Sequence, residues 1–307
     1  MNELAENILI TFNPFSGKRK GAKIAARLEK ELAKRGANIG SVLGTDCIES
    51  VYGFCKENAG NPANYSMVVI IGGDGTLSHW VDAMIKHGFS LPVYPFGCGT
   101  ANDFAAYFKT NRSVRKAAKI ITTGAKTYVV DTLKINGKDY AIYVAAGGAF
   151  TNGVTRYSPW SKRIFGKAAY VFRGILEAFR MKLQSMTFNI DGQEFDLDVY
   201  FFLVMNISRV GTMKRIAPLS VPTDGYLNFI AVKKCNVFSM FWMLFMILFG
   251  RTHKSKYFLH TTLKSITATV NGEPSKNFAL TDIDGNAGSA FPLKVEVQEQ
   301  KLTVVAP

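Results

Sequence analysis

The chain has 307 residues, 48% of them hydrophobic, and carries a formal net charge of +14. That length supports one large core or two ordinary ones, and that charge calls for an anionic partner; with no nucleic-acid recognition motif in sight, a negatively charged membrane surface is expected and nucleic acid is not. Cys47, Cys55, Cys98 and Cys235 show no C-x-x-C spacing, which argues against a disulfide frame or zinc site and suits the reduced thiols of a cytoplasmic protein.

The acidic start Met1–Asn7 leads straight into a strand and does not read as a signal peptide. Residues 1 to about 128 then alternate strand and helix. Strands are expected at Asn7–Phe12, Ile39–Thr45, Met67–Ile71 and Leu91–Tyr94. Helices are expected at Gly21–Arg35, Ser50–Glu57, Leu77–Lys86, Asn102–Phe108 and Arg112–Thr122. Such alternation predicts right-handed crossovers and an α/β domain with a parallel sheet. After Gly124 the pattern changes to short β-rich runs parted by Asn-Gly, Asp-Gly or Pro turns: Tyr128–Ile135, Tyr140–Ala146, Met186–Ile190, Val199–Asn206, Gly225–Val232, Leu263–Val270, Asn277–Asp282 and Leu293–Gln298. These predict a mainly antiparallel β-sandwich.

Three strand ends carry the chemistry. The uncharged run Ser66–Ile71 stops at Gly72-Gly73-Asp74-Gly75-Thr76. Glycines let the backbone turn sharply and approach a ligand, and exposed N–H groups in such a turn attract anions. Asp74 adds a carboxylate suited to a metal-bound phosphate or to taking a hydroxyl proton. The plainer reading is a tight turn in which Asp74 and Thr76 open a helix. Asn13-Pro14-Phe15-Ser16-Gly17-Lys18 follows the first strand, and Pro95-Phe96-Gly97-Cys98-Gly99-Thr100-Ala101-Asn102-Asp103 follows the fourth. All three would meet at the carboxyl edge of one sheet, where such folds bind ligands. No G-x-x-x-x-G-K-[ST] occurs, and Gly97-x-Gly99 lacks the third glycine of a dinucleotide fingerprint.

On these three motifs, in this order, the chain resembles the diacylglycerol kinase catalytic family, relatives of sphingosine and ceramide kinases. The resemblance implies a nucleotide-binding domain over 1–128, like those of NAD kinase and phosphofructokinase, joined by a C-terminal return at 300–307. It implies a lipid-binding β-sandwich over 129–299. ATP and Mg²⁺ would be the cofactors and a membrane lipid alcohol, foremost diacylglycerol, the acceptor. Nucleotide contacts would come from Asn13, Pro14, Ser16, Gly17, Thr45, Gly72, Gly73, Asp74, Gly75, Thr76, Thr100, Asn102 and Asp103. Thr45 is equally an N-cap beside Asp46.

Two departures from the family pattern stand in the second half. Ala217-Pro218 and Pro222-Thr223-Asp224-Gly225-Tyr226-Leu227 resemble the segment whose acidic pair and a carbonyl hold a magnesium ion, here Asp224 and Tyr226. Thr223 stands in place of the first Asp, so a plain β-turn is an equal reading. At Asp284-Gly285-Asn286 the family has D-G-E, whose last residue is the proposed base. Asn286 cannot accept a proton near neutral pH. Asp284 or Asp74 would then act as the base, or the enzyme would be weak.

Two stretches suggest a peripheral membrane protein. Between Thr155 and Lys182, seven basic residues interleave with Tyr157, Trp160, Phe165 and Phe172. Each cation near anionic lipid contributes roughly 1 kcal/mol, and aromatics settle at headgroup depth; the alternative is a sandwich loop with a core-facing stripe. The apolar run Val237–Phe249 covers about 20 Å as a helix, against a hydrocarbon core near 30 Å. It would line an acyl pocket or pack in the core. Three functional readings follow: a lipid kinase binding anionic phospholipid, a NAD kinase sharing G-G-D-G-T, and a membrane-surface nucleotide sensor without activity. A homodimer stays open.

Overall fold

A computed structural model describes residues 3–60, 64–110, 113–148, 182–211, 213–236 and 255–307, with Ser239, Trp242 and Met246. The chain divides into two compact units. The first comprises Met1–Thr132, Asp139–Ile142 and Gln298–Pro307, and the second Leu133–Lys138 and Tyr143–Val297.

In the first unit, β1 (Ile8–Phe12), β2 (Ile39–Gly44), β3 (Met67–Gly72) and β4 (Val93–Gly97) form a parallel sheet in the order β2-β1-β3-β4. Every residue of β3 is buried, as its uncharged run requires of a strand flanked on both sides. β2 alternates half-buried and exposed residues, as suits an edge. Around the sheet run α1 (Ser16–Arg19), α2 (Gly21–Ala33), α3 (Ile48–Glu57), α4 (Asp74–His87), α5 (Asp103–Tyr107) and α6 (Val114–Lys119). α2 buries Ala25, Leu28 and Leu32, one helical stripe, against Ile8, Ile10, Val69, Ile71 and Phe96.

α4 is also pinned along its length. Asp82 accepts the Tyr140 N–H at 2.7 Å, the Tyr52 hydroxyl, and Lys86 Nζ at 2.9 Å. Lys86 reaches Asp139 as well, at 2.6 Å. Burial raises the Asp82 pKa above its ordinary value, although the Lys86 and Tyr140 bonds pull the other way.

β5 (Lys126–Ile135) pairs with the short β6 (Asp139–Ala141). The second unit holds β7 (Val144–Gly148), β8 (Gln184–Ile190), β9 (Gln193–Met205), β10 (Leu227–Lys233), β11 (Phe258–Leu263), β12 (Ser265–Val270), β13 (Asp282–Ile283) and β14 (Asn286–Ala287). Their pairings are antiparallel, running β13-β7-β9 and then on to β8-β12 on one path and β10-β11 on the other. Phe188, Phe202 and Phe229 stack at 5.1 to 6.1 Å in the core. β15 (Leu293–Ala306) pairs with β12 through its first residues, and Val304 lies parallel to Val93 of β4.

The fold class is thus α/β with parallel N-terminal strands followed by antiparallel C-terminal strands, as the sequence predicts. Several elements differ in detail. The expected strand Tyr140–Ala146 is interrupted at Ile142–Tyr143, where the Tyr143 N–H turns to the Asp284 carboxylate. Leu263–Val270 breaks at Lys264, whose N–H goes to Asp191. Asn277–Asp282 is largely not a strand: Lys276–Phe278 forms a 3-10 turn that buries Phe278. Leu293–Gln298 and the following Leu302–Pro307 are one strand, continuous through Gln300, whose φ is 53° and whose N–H bonds Asp131. α4 starts at Asp74 rather than Leu77.

The basic and aromatic stretch Thr155–Lys182 lies outside the described residues apart from Lys182, as does Val237–Phe249 apart from Ser239, Trp242 and Met246. Among the described residues no helix is long and apolar enough to cross a membrane.

Candidate functional site

Parallel order places the ends of β1, β3 and β4 side by side, and the loops that follow them lock together. The Asn13 N–H donates to the Ile71 carbonyl at 3.2 Å, while Asn13 Oδ1 accepts the Phe15 N–H at 2.8 Å. Asn13 Nδ2 lies 3.5 Å and Ser16 Oγ 3.4 Å from Thr76 Oγ1, so the first loop meets the second through three polar side chains. The Cys98 N–H donates to the Gly72 carbonyl at 2.8 Å and ties the third loop to the second. Pro14 is half-buried in the first loop, Gly75 lies in the first turn of α4, and Thr100 is exposed at the tip of the third loop.

Glycine is required where these backbones touch. A Cβ on Gly99 would sit 2.6 Å from Gly73 Cα, so the second and third loops meet backbone to backbone. Gly17, at φ +58°, closes against the Cys98 carbonyl, which a Cβ would approach to 2.6 Å.

Asp74 joins the same lock. Its Oδ2 accepts the Asp103 N–H at 3.0 Å and its Oδ1 the Phe104 N–H at 3.2 Å, so the carboxylate caps the start of α5. Asn102 takes a left-handed backbone, φ 53°, and folds its amide onto Gly99: Oδ1 accepts the Gly99 N–H at 2.7 Å and Nδ2 donates to the Gly99 carbonyl at 2.8 Å. Asn102 therefore shapes the loop with both ends of its amide. Asp103 is buried. Thr45, at the end of β2, donates its N–H to the Phe12 carbonyl at 2.9 Å, but its buried hydroxyl has no hydrogen-bond partner. Such a group is a ready contact for a ligand or water.

The second unit gathers Asp282, Asp284 and Asn286 on one tight turn. Asp284 is buried at φ 51°, and its Oδ1 accepts the N–H groups of Tyr143 and Val144, both at 3.0 Å. Asp282 is also buried, and its Oδ1 accepts the Gly285 N–H at 2.9 Å. Burial, with Asp284 nearby, pushes the Asp282 carboxyl up to about 6 despite that bond. Asn286 is half-buried opposite Ile283. Asp282 was not singled out from the sequence; an acid in a short strand two residues before Asp284 was the available signal.

Asp224 and Tyr226, the pair expected beside a magnesium ion, sit together in one turn. Asp224 is exposed and its Oδ1 accepts the Tyr226 N–H at 3.0 Å, an ordinary local turn. Tyr226 is exposed, with Lys264 Nζ 5.3 Å from its ring centre. Among the described residues no group of three or more His, Cys, Asp or Glu side chains is placed to hold a metal. Asp224 would supply one carboxylate oxygen and Tyr226 its carbonyl to the hard oxygen shell that Mg²⁺ takes.

A parallel sheet ending in glycine loops, followed by an antiparallel unit, defines a two-unit α/β class with a ligand-binding sheet edge. Residues 7–135 match the diacylglycerol kinase catalytic domain, and residues 141–306 match the YegS C-terminal NAD kinase beta sandwich-like domain. The chain belongs to the diacylglycerol kinase family of lipid kinases. It is 26% identical to the diacylglycerol kinase of Staphylococcus carnosus, covering 97% of this chain and 94% of that one. It is likewise 26% identical to the diacylglycerol kinase of Bacillus subtilis, covering 97% and 95%. A crystal structure of a diacylglycerol kinase from Bacillus anthracis shares the fold with a TM-score of 0.77 at 21% identity, covering 98% of this chain and 97% of the other.

Proposed function

We propose that this lipid kinase transfers the γ-phosphoryl group of ATP, bound with Mg²⁺, to the hydroxyl of diacylglycerol, giving phosphatidic acid and ADP. The observation that carries this reading is the lock of three glycine loops at one sheet edge, with backbone contact between Gly73 and Gly99. In this reading 1–128 and 300–307 bind nucleotide and 129–299 bind lipid. Asn13, Ser16, Gly17, Gly72, Gly73, Gly75, Thr76 and Thr100 present backbone N–H, amide and hydroxyl groups to the phosphates, and Pro14, which has no N–H, fixes the course of the first loop beside them. Thr45 offers its unpaired hydroxyl. Asp74, Asn102 and Asp103 hold the third loop in shape, which supports Asp74 as a positioning group as well as a candidate base.

A bond forms from the acceptor oxygen to the γ-phosphorus as the bond to the β–γ bridging oxygen breaks, and the electron pair leaves on ADP. The hydroxyl proton passes to a carboxylate, for which Asp284 is the first choice and Asp74 the second. Catalysis of this type comes chiefly from positioning and charge stabilisation. The +14 charge supports docking to anionic phospholipid from the cytoplasm, where the acceptor is reached in the bilayer surface.

The test is transfer of radiolabelled phosphate from ATP in mixed micelles. Diacylglycerol, monoacylglycerol, phosphatidylglycerol, ceramide and undecaprenol serve as acceptors, with NAD⁺ as a soluble competitor. Label in phosphatidic acid is expected. Label in NAD⁺ alone, or nucleotide binding without transfer to any lipid, would overturn the proposal.

A further inference from the structure

One buried amide in the second unit is out of keeping with its strand. β10 reads Leu227-Asn228-Phe229-Ile230-Ala231-Val232-Lys233, and Asn228 is fully buried among apolar neighbours. Its main chain is paired on both sides, with Met205 of β9 and Thr262 of β11. Its side chain is only half satisfied. Asn228 Oδ1 lies 3.1 Å from His260 Nε2. An amide oxygen can only accept, so the imidazole nitrogen carries the proton and donates. Asn228 Nδ2, a donor, has no hydrogen-bond partner. A valine or leucine there would avoid that penalty, so the amide needs a reason.

The sheet register supplies one. Residues directly opposite in antiparallel strands share a face. Val144, Met205 and Asn228 make one row of that face, and Ala146, Leu203, Ile230 and His260 make the next. Phe202 and Phe229 fall on rows of the other face, that of the aromatic core. Both rows begin at the acidic turn. Asp284 donates its N–H to the Val144 carbonyl at 3.0 Å and takes the Val144 N–H on Oδ1, while Asp282 pairs with Ala146. An apolar floor of Val144 and Met205 therefore runs from the carboxylates to a single unpaired amide donor.

We infer that Asn228, held by His260, is a specificity residue for the lipid acceptor, its Nδ2 donating to the carbonyl oxygen of an acyl linkage. The inference rests on the lipid-kinase reading and narrows it to acyl-bearing acceptors over ether lipids and polyprenols. The Asp284 carboxylate reaches back over β7 to the Val144 N–H, so it lies on the same sheet face as Asn228 with β9 between their strands.

The experiment compares dioctanoylglycerol with its dialkyl ether analogue, using the full chain and Asn228→Leu, which keeps the shape and removes the donor. The parent is expected to show about a 10-fold lower KM for the ester than for the ether, the usual worth of one hydrogen bond in a buried site. Asn228→Leu should raise the ester KM to the ether value with kcat unchanged; its Tm does not discriminate, because leucine also removes the bond to His260. A purely structural amide would leave the ester-to-ether ratio intact. Asn228→Asp, which still accepts from His260 but lacks the donor, must show the same lost preference; it decides the matter if the leucine variant folds poorly. A parent that phosphorylates both acceptors with equal KM, or variants that keep the parent's ratio, would overturn the inference while leaving the lipid kinase intact. A parent that phosphorylates neither would overturn the kinase reading, and this inference with it.

Discussion

The glycine loops of the first unit and the acidic turn of the second are built in contrasting ways. In the loops, polar groups answer one another: Asp74 holds Asp103 and Phe104, Asn102 holds Gly99, and Cys98 holds Gly72. At the turn, two carboxylates are buried together and one of them is pushed well above its ordinary range. The difference separates shape from titration. A phosphate-binding edge needs backbones fixed in place, which satisfied hydrogen bonds and glycine contacts provide. Burial brings the Asp282 carboxyl, two residues from the proposed base Asp284, toward the range in which proton acceptors work.

Breaking the loop side of this contrast should have the largest effect. Asp74→Asn removes the charge and turns one oxygen into an N–H₂ that faces a backbone N–H of α5. We expect phosphoryl transfer to fall roughly 10²-fold or more, with circular dichroism unchanged. The measurement is turnover at saturating ATP and lipid. Parent-like turnover would reduce Asp74 to a helix cap and remove it from the mechanism.

The acidic turn is tested through stability. The Asp282 carboxyl stands at about 6 in the fold against an ordinary 3.8. A raised folded value means its contribution is fully present below pH 3.8 and is lost as pH rises through about 6. Asn cannot ionise and still accepts from Gly285. Asp282→Asn should therefore match the parent near pH 3 to 4 and gain on it by about 3 kcal/mol above pH 6. Urea unfolding at both ends of that range reads the difference. A gap that does not widen with pH would show that Asp282 stays charged without cost.

How much of this contrast could be read in advance depends on the separation of the partners. Met67–Gly72 declares itself as a central strand through its unbroken apolar run, and Gly72–Thr76 is recognisable beside it. The roles within the loops are not local. Asp74 meets Asp103 and Phe104 across 29 and 30 residues, so its capping duty is invisible in the motif itself. The interruptions of two expected strands have the same cause. Asp284 takes the Tyr143 N–H from 141 residues away, and Asp191 takes that of Lys264 from 73. Burial of Asp282 is likewise set by the sheet around it, not by its neighbours in sequence.

A smaller effect sharpens the loop side. Asn102→Asp keeps the residue type that tolerates a left-handed backbone, and keeps the acceptor for the Gly99 N–H. It loses the donor to the Gly99 carbonyl and sets a negative oxygen against it. ATP affinity, measured by calorimetry, should weaken about 10-fold, the worth of one such bond together with a misfit loop. Unchanged affinity would mean that the Gly99 turn holds its shape without the amide.

Asn286→Glu should have the smallest effect and is the most direct comparison of the two regions. Asn286 stands where the family's proposed base would be, half-buried opposite Ile283, two residues beyond Asp284. A fully used general base is worth about 10²–10⁴-fold, but that gain presumes an empty role. Asp284 already lies on the same turn, and a new carboxylate beside buried Asp282 and Asp284 meets like charge, which raises its pKa. We expect the lipid-phosphorylation rate to rise only a few-fold, with most of the gain above pH 7, where the new group has lost its proton. A gain approaching the full range would show that the parent lacks a base and that Asp284 serves only to hold Tyr143 and Val144. No gain at any pH would place the proton acceptor among the carboxylates the chain already has, and Asp74→Asn then decides whether it lies at the loops or at the turn.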